Sequence, residues 1–420
     1  MKLSSIAAIA TSLLSLCSAS PIKLQKRGFN YQQDKLYGVN IGGWLVLEAY
    51  ITPSLFEAFG DSPPVDEYHY HQELGKEEAS NRLQKHWSSW ITEEDFQEMA
   101  SYGLNFVRIP IGYWAFELLD SDPYVQGQAE YLDQAIGWAK NAGLQVWVDL
   151  HGAPGSQNGF DNSGLRDTIG WQSGEGNVDL TLKALGDIVE RYSGSDYEDT
   201  IIGIELLNEP LGPDLDMQQV EEFYEKGYSV VRDSTSYPVI IHDAFQADNY
   251  FDDVLTDGYY DVVVDHHHYQ VFSTGELQRS VQDRITTACG WGWSEGNEYH
   301  WNVAGEFSAA FTDCAKWLNG VGRGARYDNS FEGNGYIGSC ESLYGRDESY
   351  FTGDVKDNYR KVMEAQLDAF THSKVAGWAF WCWKTENTVE WDFQELVKLD
   401  IIPQPLTGRY YYNQCGFDQW

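Results

Sequence analysis

The chain is poor in positive charge, in glycosylation sequons and in long apolar runs. Only 28 Lys and Arg stand against 64 Asp and Glu, a formal net charge of −36 at pH 7. A surface of that sign repels phosphate backbones and anionic headgroups, which argues against a nucleic-acid partner. No Asn-x-Ser/Thr sequon occurs, and only Asn413-Gln414-Cys415 offers the rare cysteine variant, so N-glycans are expected to be few or absent. The carboxyl end, Gly416-Phe417-Asp418-Gln419-Trp420, has no apolar tail of the lipid-anchor kind, and no membrane anchor is expected. No Gly-x-Gly-x-x-Gly turn follows a strand-like run, and no cysteine spacing suits zinc, so neither cofactor nor metal is expected.

The one sustained apolar run, 6–16, follows Lys2 and is too short to span a bilayer comfortably. Small residues around Cys17-Ser18-Ala19 suit cleavage, so 1–19 reads as a signal peptide. The dibasic pair Lys26-Arg27 marks the end of a short pro-segment, 20–27, which implies a zymogen trimmed to a mature domain over 28–420. Trimming removes four basic residues and no acidic one. The product reads as a secreted, extracellular or cell-wall monomer acting on a neutral polymer in acidic surroundings. Five of the six cysteines survive cleavage: Cys289, Cys314, Cys340, Cys382 and Cys415. An odd count in an oxidising compartment implies a free thiol or an intermolecular bridge.

What is abundant is aromatic: 16 Trp, 27 Tyr and 19 Phe, 15 % of the chain. Flat ring faces suit the apolar faces of sugar rings, although a Trp-rich core would account for them equally. No repeat or Ser/Pro-rich linker divides the chain, so one large domain is expected. Short apolar runs alternate with segments of helical period. Strand candidates are 37–41, 106–110, 145–150, 201–209, 239–242, 262–266, 301–307 and 376–381. Helical segments are 92–103, 128–142, 178–192, 218–232 and 354–370, and 48–90 reads as loop-rich. Eight strands with intervening helices predict a closed parallel (β/α)8 TIM barrel rather than an open sheet.

Two of these strands end in glutamates. The run Ile201-Ile202-Gly203-Ile204-Glu205-Leu206-Leu207-Asn208-Glu209-Pro210 stops at a proline, which cannot donate to a ladder, and so presents Glu209 at a strand tip. Trp301-Asn302-Val303-Ala304-Gly305-Glu306-Phe307 presents Glu306 in the same way. Two carboxyls at two strand tips are what glycosidic cleavage through a covalent intermediate needs, one as proton donor and one as nucleophile. Arg108, His151, Asn208, His267, Tyr269 and Trp381 also fall at or just past strand ends, which in a barrel converge on one face.

The ordered motifs GVNIGGWLVLE at 38–48, FVRIPIGYW at 106–114, DLHGAPGSQNG at 149–159, LNEP at 207–210, HHHYQVF at 266–272, GEFS at 305–308 and WCWKTE at 381–386 carry a resemblance. From about 28 to 417 the chain resembles the secreted fungal exo-1,3-β-glucanases of glycoside hydrolase family 5. The resemblance implies a retaining mechanism with Glu209 as acid/base and Glu306 as nucleophile. It implies that Arg108, His151, Asn208, His267 and Tyr269 hold the sugar and tune the two carboxyls, and that Glu48 and Trp381 wall the first sugar pocket. Phe160 and Phe272 match an aromatic clamp at the entrance, with Asp161 and Asn162 beside it. The partner so implied is β-1,3-glucan, cut from the non-reducing end to glucose, with glucosyl transfer to a second sugar. It also implies Cys289–Cys415 and Cys314–Cys340 disulfides with Cys382 free. Cys382 departs from the pattern, standing where relatives often carry a small polar residue; it reads as a buried hydrophobe.

On physical grounds a donor from Arg108 or Tyr269 should keep Glu306 ionised, while negative neighbours and poor solvation should keep Glu209 protonated. The stretches 48–90 and 151–171 are expected to wall off one end of the site. Alternatives are an endo-acting barrel glycosidase on cellulose, mannan or β-1,6-glucan, a silent wall-glucan-binding protein, and a metal hydrolase built on His266-His267-His268. Intact Glu209 and Glu306 argue against the second, and the third lacks a helical metal motif.

Overall fold

The computed structural model describes residues 29–333 and 335–417. The signal peptide and pro-segment expected over 1–27 lie outside the described residues. Eight strands, β1 (Leu36–Asn40), β2 (Phe106–Gly112), β3 (Gln145–Gly152), β4 (Ile201–Glu205), β5 (Val239–His242), β6 (Val262–His268), β7 (Trp301–Phe307) and β8 (Val375–Phe380), follow one another in sequence order around a closed barrel. Every neighbouring pair is parallel, and β8 closes on β1 with Leu36 opposite Gly377 and Val39 opposite Phe380. No helix among the described residues is long and apolar enough to cross a membrane.

The period of two along each strand builds the interior. Leu36, Phe106, Trp147, Ile202, Ile240, Val263, Val303 and Ala376, one from each strand, form an apolar floor. Tyr31 plugs it from below, donating to Ile202 O and accepting from Trp147 Nε1. Two residues further up, the same face turns polar: Phe106 gives way to Arg108, Trp147 to Asp149 and His151, Ile240 to His242, Val263 to Asp265 and His267. The alternate residues, Val107, Val146, Val148, Val239, Ile241, Val262 and Val264, face outward into the core beneath the helices.

Several helices match their expected bounds. Gln128–Ala142 ends on Gly143 in the left-handed conformation, and Glu93–Ser101 begins in a capping box between Thr92 and Asp95. Two long ones do not. Glu67–Trp90 falls in the stretch read as loop, because its sequence is polar and breaks at Gly75, whose φ is 67°. Val281–Glu295 is rich in Thr, Gly and Trp, poor helix formers that packing against Gly353–Ala369 overrides. Cys289 bonds to Cys415, fastening the chain's last turns to this helix; Cys314 bonds to Cys340; Cys382 is a buried thiol.

Candidate active site

Arg108 organises the upper half of the barrel. It sits in the middle of β2 rather than at its end, and its long stem carries the guanidinium up the interior. Its fork donates to both oxygens of Glu205, at 2.7 and 3.0 Å, to Asn208 Oδ1 at 2.8 Å, to Asn40 Oδ1 at 3.1 Å and to Glu306 Oε1 at 2.9 Å. Asp149 and Asp265 lie at 3.1 and 3.4 Å. A buried cation is tolerated only with this many acceptors, and the planar fork fixes where each of them stands.

Glu306, near the end of β7, accepts from Arg108 Nη1 and, at 2.7 Å, from the Tyr269 hydroxyl. Glu209 is not on a strand. β4 ends at Glu205, whose carboxylate turns into the barrel, and Glu209 follows on a turn with φ of 46°. Asn208 N bonding to Leu150 O holds that turn against β3. Glu209 Oε1 meets His267 Nδ1 at 2.7 Å and its Oε2 accepts from Asn162 Nδ2 at 2.9 Å. The same His267 Nδ1 lies 3.4 Å from Glu306 Oε2. One nitrogen bridging both carboxyls holds those two oxygens no more than about 6 Å apart, short of the ~6.5–9.5 Å that separates the carboxyls of an inverting pair.

The shifts in proton affinity run opposite to the expectation from sequence. Burial pushes the Glu306 carboxyl up, to about 7, against the pull of His267 and Arg108. Burial also raises Glu209, but the hydrogen bond and charge of His267, with His242 and Asn162, outweigh it and bring Glu209 down to about 2. Glu209's nearest partner is an imidazole rather than another carboxylate, and only the folded chain brings the two together. The two contacts on Glu306 both come from donors, the geometry that suits its ionised form even as burial opposes it.

His151 donates Nδ1–H to Asp149 Oδ2 at 2.7 Å and lies flat against Trp381, ring centroids 5.6 Å apart. Gln157, part of the 149–159 motif but given no role by the sequence, ties the His151 and Asn208 carbonyls together at 2.9 and 2.8 Å. Trp381 Nε1 donates to the Tyr50 hydroxyl. Burial, then Asp161, Glu306 and Glu209, hold the Glu48 carboxyl well above the usual carboxylate range.

These groups open into a cavity of about 390 Å³ that Glu48, Phe160, Asp161, Asn162, Glu209, Tyr269, Phe272, Glu306 and Trp381 all line. Arg108, His151, Asn208 and His267 lie beneath it. At its mouth Phe160, Phe245 and Phe272 are 40, 39 and 41 % exposed, unusual for large apolar rings and the reason to read them as contact surfaces. Phe245, a missed residue with φ of 56°, packs edge-on against Phe160. The walls differ from expectation. Of 48–90 only Glu48 and Tyr50 reach the cavity, while the segment after β7 supplies Leu318, Asn319, Arg323, Arg326 and Phe331. That segment has no strand or helix period to mark it, and the Cys314–Cys340 bond folds it back over the barrel mouth.

The three consecutive histidines do not converge. His266 faces out of the barrel to Asp243 and Glu298, His268 to Glu295, and only His267 faces in. Among the described residues Glu209, His242 and His267 bring ligand-type atoms within 4.8 Å of one another, but the 2.7 Å between Glu209 and His267 is a hydrogen bond with a proton in that space.

Residues 71–387 match the model of the cellulase family, glycosyl hydrolase family 5. The chain is 62 % identical to the glucan 1,3-beta-glucosidase of Pichia angusta, over 99 % of this chain and 97 % of that one. It is 56 % identical to the glucan 1,3-beta-glucosidase of Schwanniomyces occidentalis, over 96 % of each. Among solved structures it resembles rutinosidase from Aspergillus niger, with a TM-score of 0.70 and 18 % identity over 89 % of this chain and 99 % of that one, a likeness of fold.

Proposed function

This chain belongs to glycosyl hydrolase family 5, and from that premise we propose that it is a retaining exo-glucosidase that removes glucose from the non-reducing end of β-1,3-glucan. The bridging of Glu209 and Glu306 by one imidazole nitrogen carries the retaining part of the reading. Glu306, steered by Arg108 and Tyr269, attacks the anomeric carbon. Glu209 protonates the departing oxygen and then takes a proton from the water, or from the second sugar, that resolves the glucosyl ester. Glu48 and the Trp381 face hold the first ring, with Asn208 and His151 behind it, and Asp161 and Asn162 stand where it meets the second. The second ring stacks between Phe160 and Phe272. The exo reading is supported by the names of the relatives and by a cavity walled by the segments after β1, β3 and β7.

We further infer that the mature chain is a secreted monomer beginning at Gly28, which the two disulfides suit. Amino-terminal sequencing of the secreted product checks this. Product analysis on laminarin tests the activity: early digests should contain glucose, and chains blocked at the non-reducing end should resist. A ladder of oligomers, or equal cutting of blocked chains, would sink the exo reading.

A further inference from the structure

We propose that Asp265 is a positioning residue for the acid/base step, holding His267 as a proton reservoir on which Glu209 draws, and that Gly305 is glycine to make room for it. The proposal rests on the assignment of Glu209 and Glu306 above.

His267 is enclosed between acids. Its Nδ1 faces Glu209 and Glu306; its Nε2 lies 3.4 Å from Asp265 Oδ2. Asp265 is fully buried, and neither of its oxygens makes a hydrogen bond of good geometry, an expensive state for a carboxylate unless cations face it. Two do: His267, and Arg108 Nε at 3.4 Å. The space it occupies is made by β7. A Cβ on Gly305 would stand 1.9 Å from Asp265 Oδ1 and 2.3 Å from Oδ2, so no side chain larger than hydrogen can precede Glu306 while Asp265 stays in place.

The charged and titratable groups around this pair come from every interior strand that carries one: Arg108 from β2, Asp149 and His151 from β3, Glu205 from β4, Glu209 from the turn after it, His242 from β5 with its ring edge-on at 4.4 Å, and Glu306 from β7. Carboxyl groups outnumber basic ones here, which draws a proton to His267. Its proton affinity is accordingly raised well above the ordinary value, against burial, by Glu306, Asp265 and Glu209.

In the resting enzyme Glu209 is then a carboxylate and His267 an imidazolium, with one proton in the bond between them. As the glycosidic C–O bond breaks, its electron pair stays on the leaving oxygen. His267 Nδ1 hands its proton to Glu209 and Glu209 delivers it to that oxygen, while a Glu306 oxygen bonds the anomeric carbon. His267 is left neutral, Nε2–H toward Asp265, and Glu306 is an uncharged ester. Loss of a negative charge 3.4 Å away keeps His267 neutral, so Glu209 is free to act as base. When water attacks, its proton passes through Glu209 back to His267 Nδ1 and Glu306 leaves as carboxylate.

Asp265→Asn removes the charge behind Nε2 and keeps the volume. The alkaline limb of kcat/KM on laminaritriose should move to lower pH by about one unit or more. With an aryl glucoside whose leaving group departs unprotonated, the limb should not move. An unchanged limb, or an equal loss on both substrates at every pH, reduces Asp265 to a structural residue. If the variant does not fold, the wild-type enzyme still tests the reservoir on which the role of Asp265 depends. Histidine 15N NMR at pH 6, with His267 assigned through His267→Gln, should show both ring nitrogens protonated. One should lose its proton once a 2-fluoro glucoside has trapped the ester. A neutral His267 in the free enzyme, or one blind to the trapping, overturns the proposal. Mass spectrometry of the trapped peptide is read first: sugar on a residue other than Glu306 refutes the assignment beneath, not the reservoir.

Discussion

Glu67 Oε2 accepts the backbone N–H of Leu47 at 2.7 Å, joining a long helix to the loop that ends in Glu48. The other Glu67 oxygen accepts from Trp114 Nε1, His86 Nε2 meets Gly43 O at 2.8 Å, and Trp44 Nε1 donates to Trp87 O. Helix Glu67–Trp90 is therefore a splint under the loop 42–48, not a wall of the cavity. It sets where Glu48 stands without itself reaching the cavity.

Replacing Glu67 by Gln leaves one of two buried donors facing an amide N–H, a cost of about 1 to 3 kcal/mol. The thermal midpoint should fall and KM for laminaribiose should rise several-fold, with kcat closer to wild type. A variant with a lower midpoint and an unchanged KM would uncouple the splint from Glu48.

Truncating either carboxyl should cost about 10²-fold or more in activity on laminarin. Azide separates their roles. Glu209→Gly with an activated aryl glucoside should recover and give the glucosyl azide of retained configuration. Glu306→Gly giving a retained product instead would reverse the two assignments.

Removing Phe160 or Phe272 should weaken the second sugar by about 1 kcal/mol, roughly fivefold, and suppress glucosyl transfer. Hydrolysis of an aryl glucoside should change less. Phe245→Ala should do the same more weakly, because that ring supports Phe160 edge-on. Equal losses on oligosaccharide and aryl substrate would argue against the clamp.

Stability should fall as pH rises from about 6.5 to 8, above the range in which the buried histidines with lowered proton affinity, His71, His86, His151 and His242, oppose the trend. Burial lowers His266's affinity for its proton, but Glu295, Asp243 and Glu298 raise it well above the ordinary value. That contribution is complete below the unfolded pKa of about 6.5 and is lost as pH climbs through the folded one. Burial likewise lifts Asp161 to about 6 and Glu306 and Asp149 to about 7, so folding binds protons that the unfolded chain releases above about 4. Below about 4 the depressed carboxyls, Glu209 and Glu298, lose their contribution and the trend turns over. A thermal midpoint that climbs steadily between about pH 6.5 and 8 would contradict this balance.

Local period alone determined a good deal. Eight apolar runs with helices between them imply the barrel, and a barrel implies that Arg108, His151, Asn208, Glu209, His267, Tyr269, Glu306 and Trp381 meet at one end. Glu209 was placed at the right end of β4 although it rides a left-handed turn, because Pro210 marks the departure from the ladder whichever residue the strand ends on. Only the tertiary structure decided what surrounds each group. Asp265 and Gly305 are 40 positions apart on adjacent strands, and nothing in either segment says that one carboxylate fills the other's missing side chain. Phe245 and the arginines after β7 lie in segments without period, so their path follows from a disulfide and from packing. The low proton affinity of Glu209 was not legible for the same reason. A pKa is set by the nearest charges in space, and the nearest to Glu209 is His267, 58 residues away.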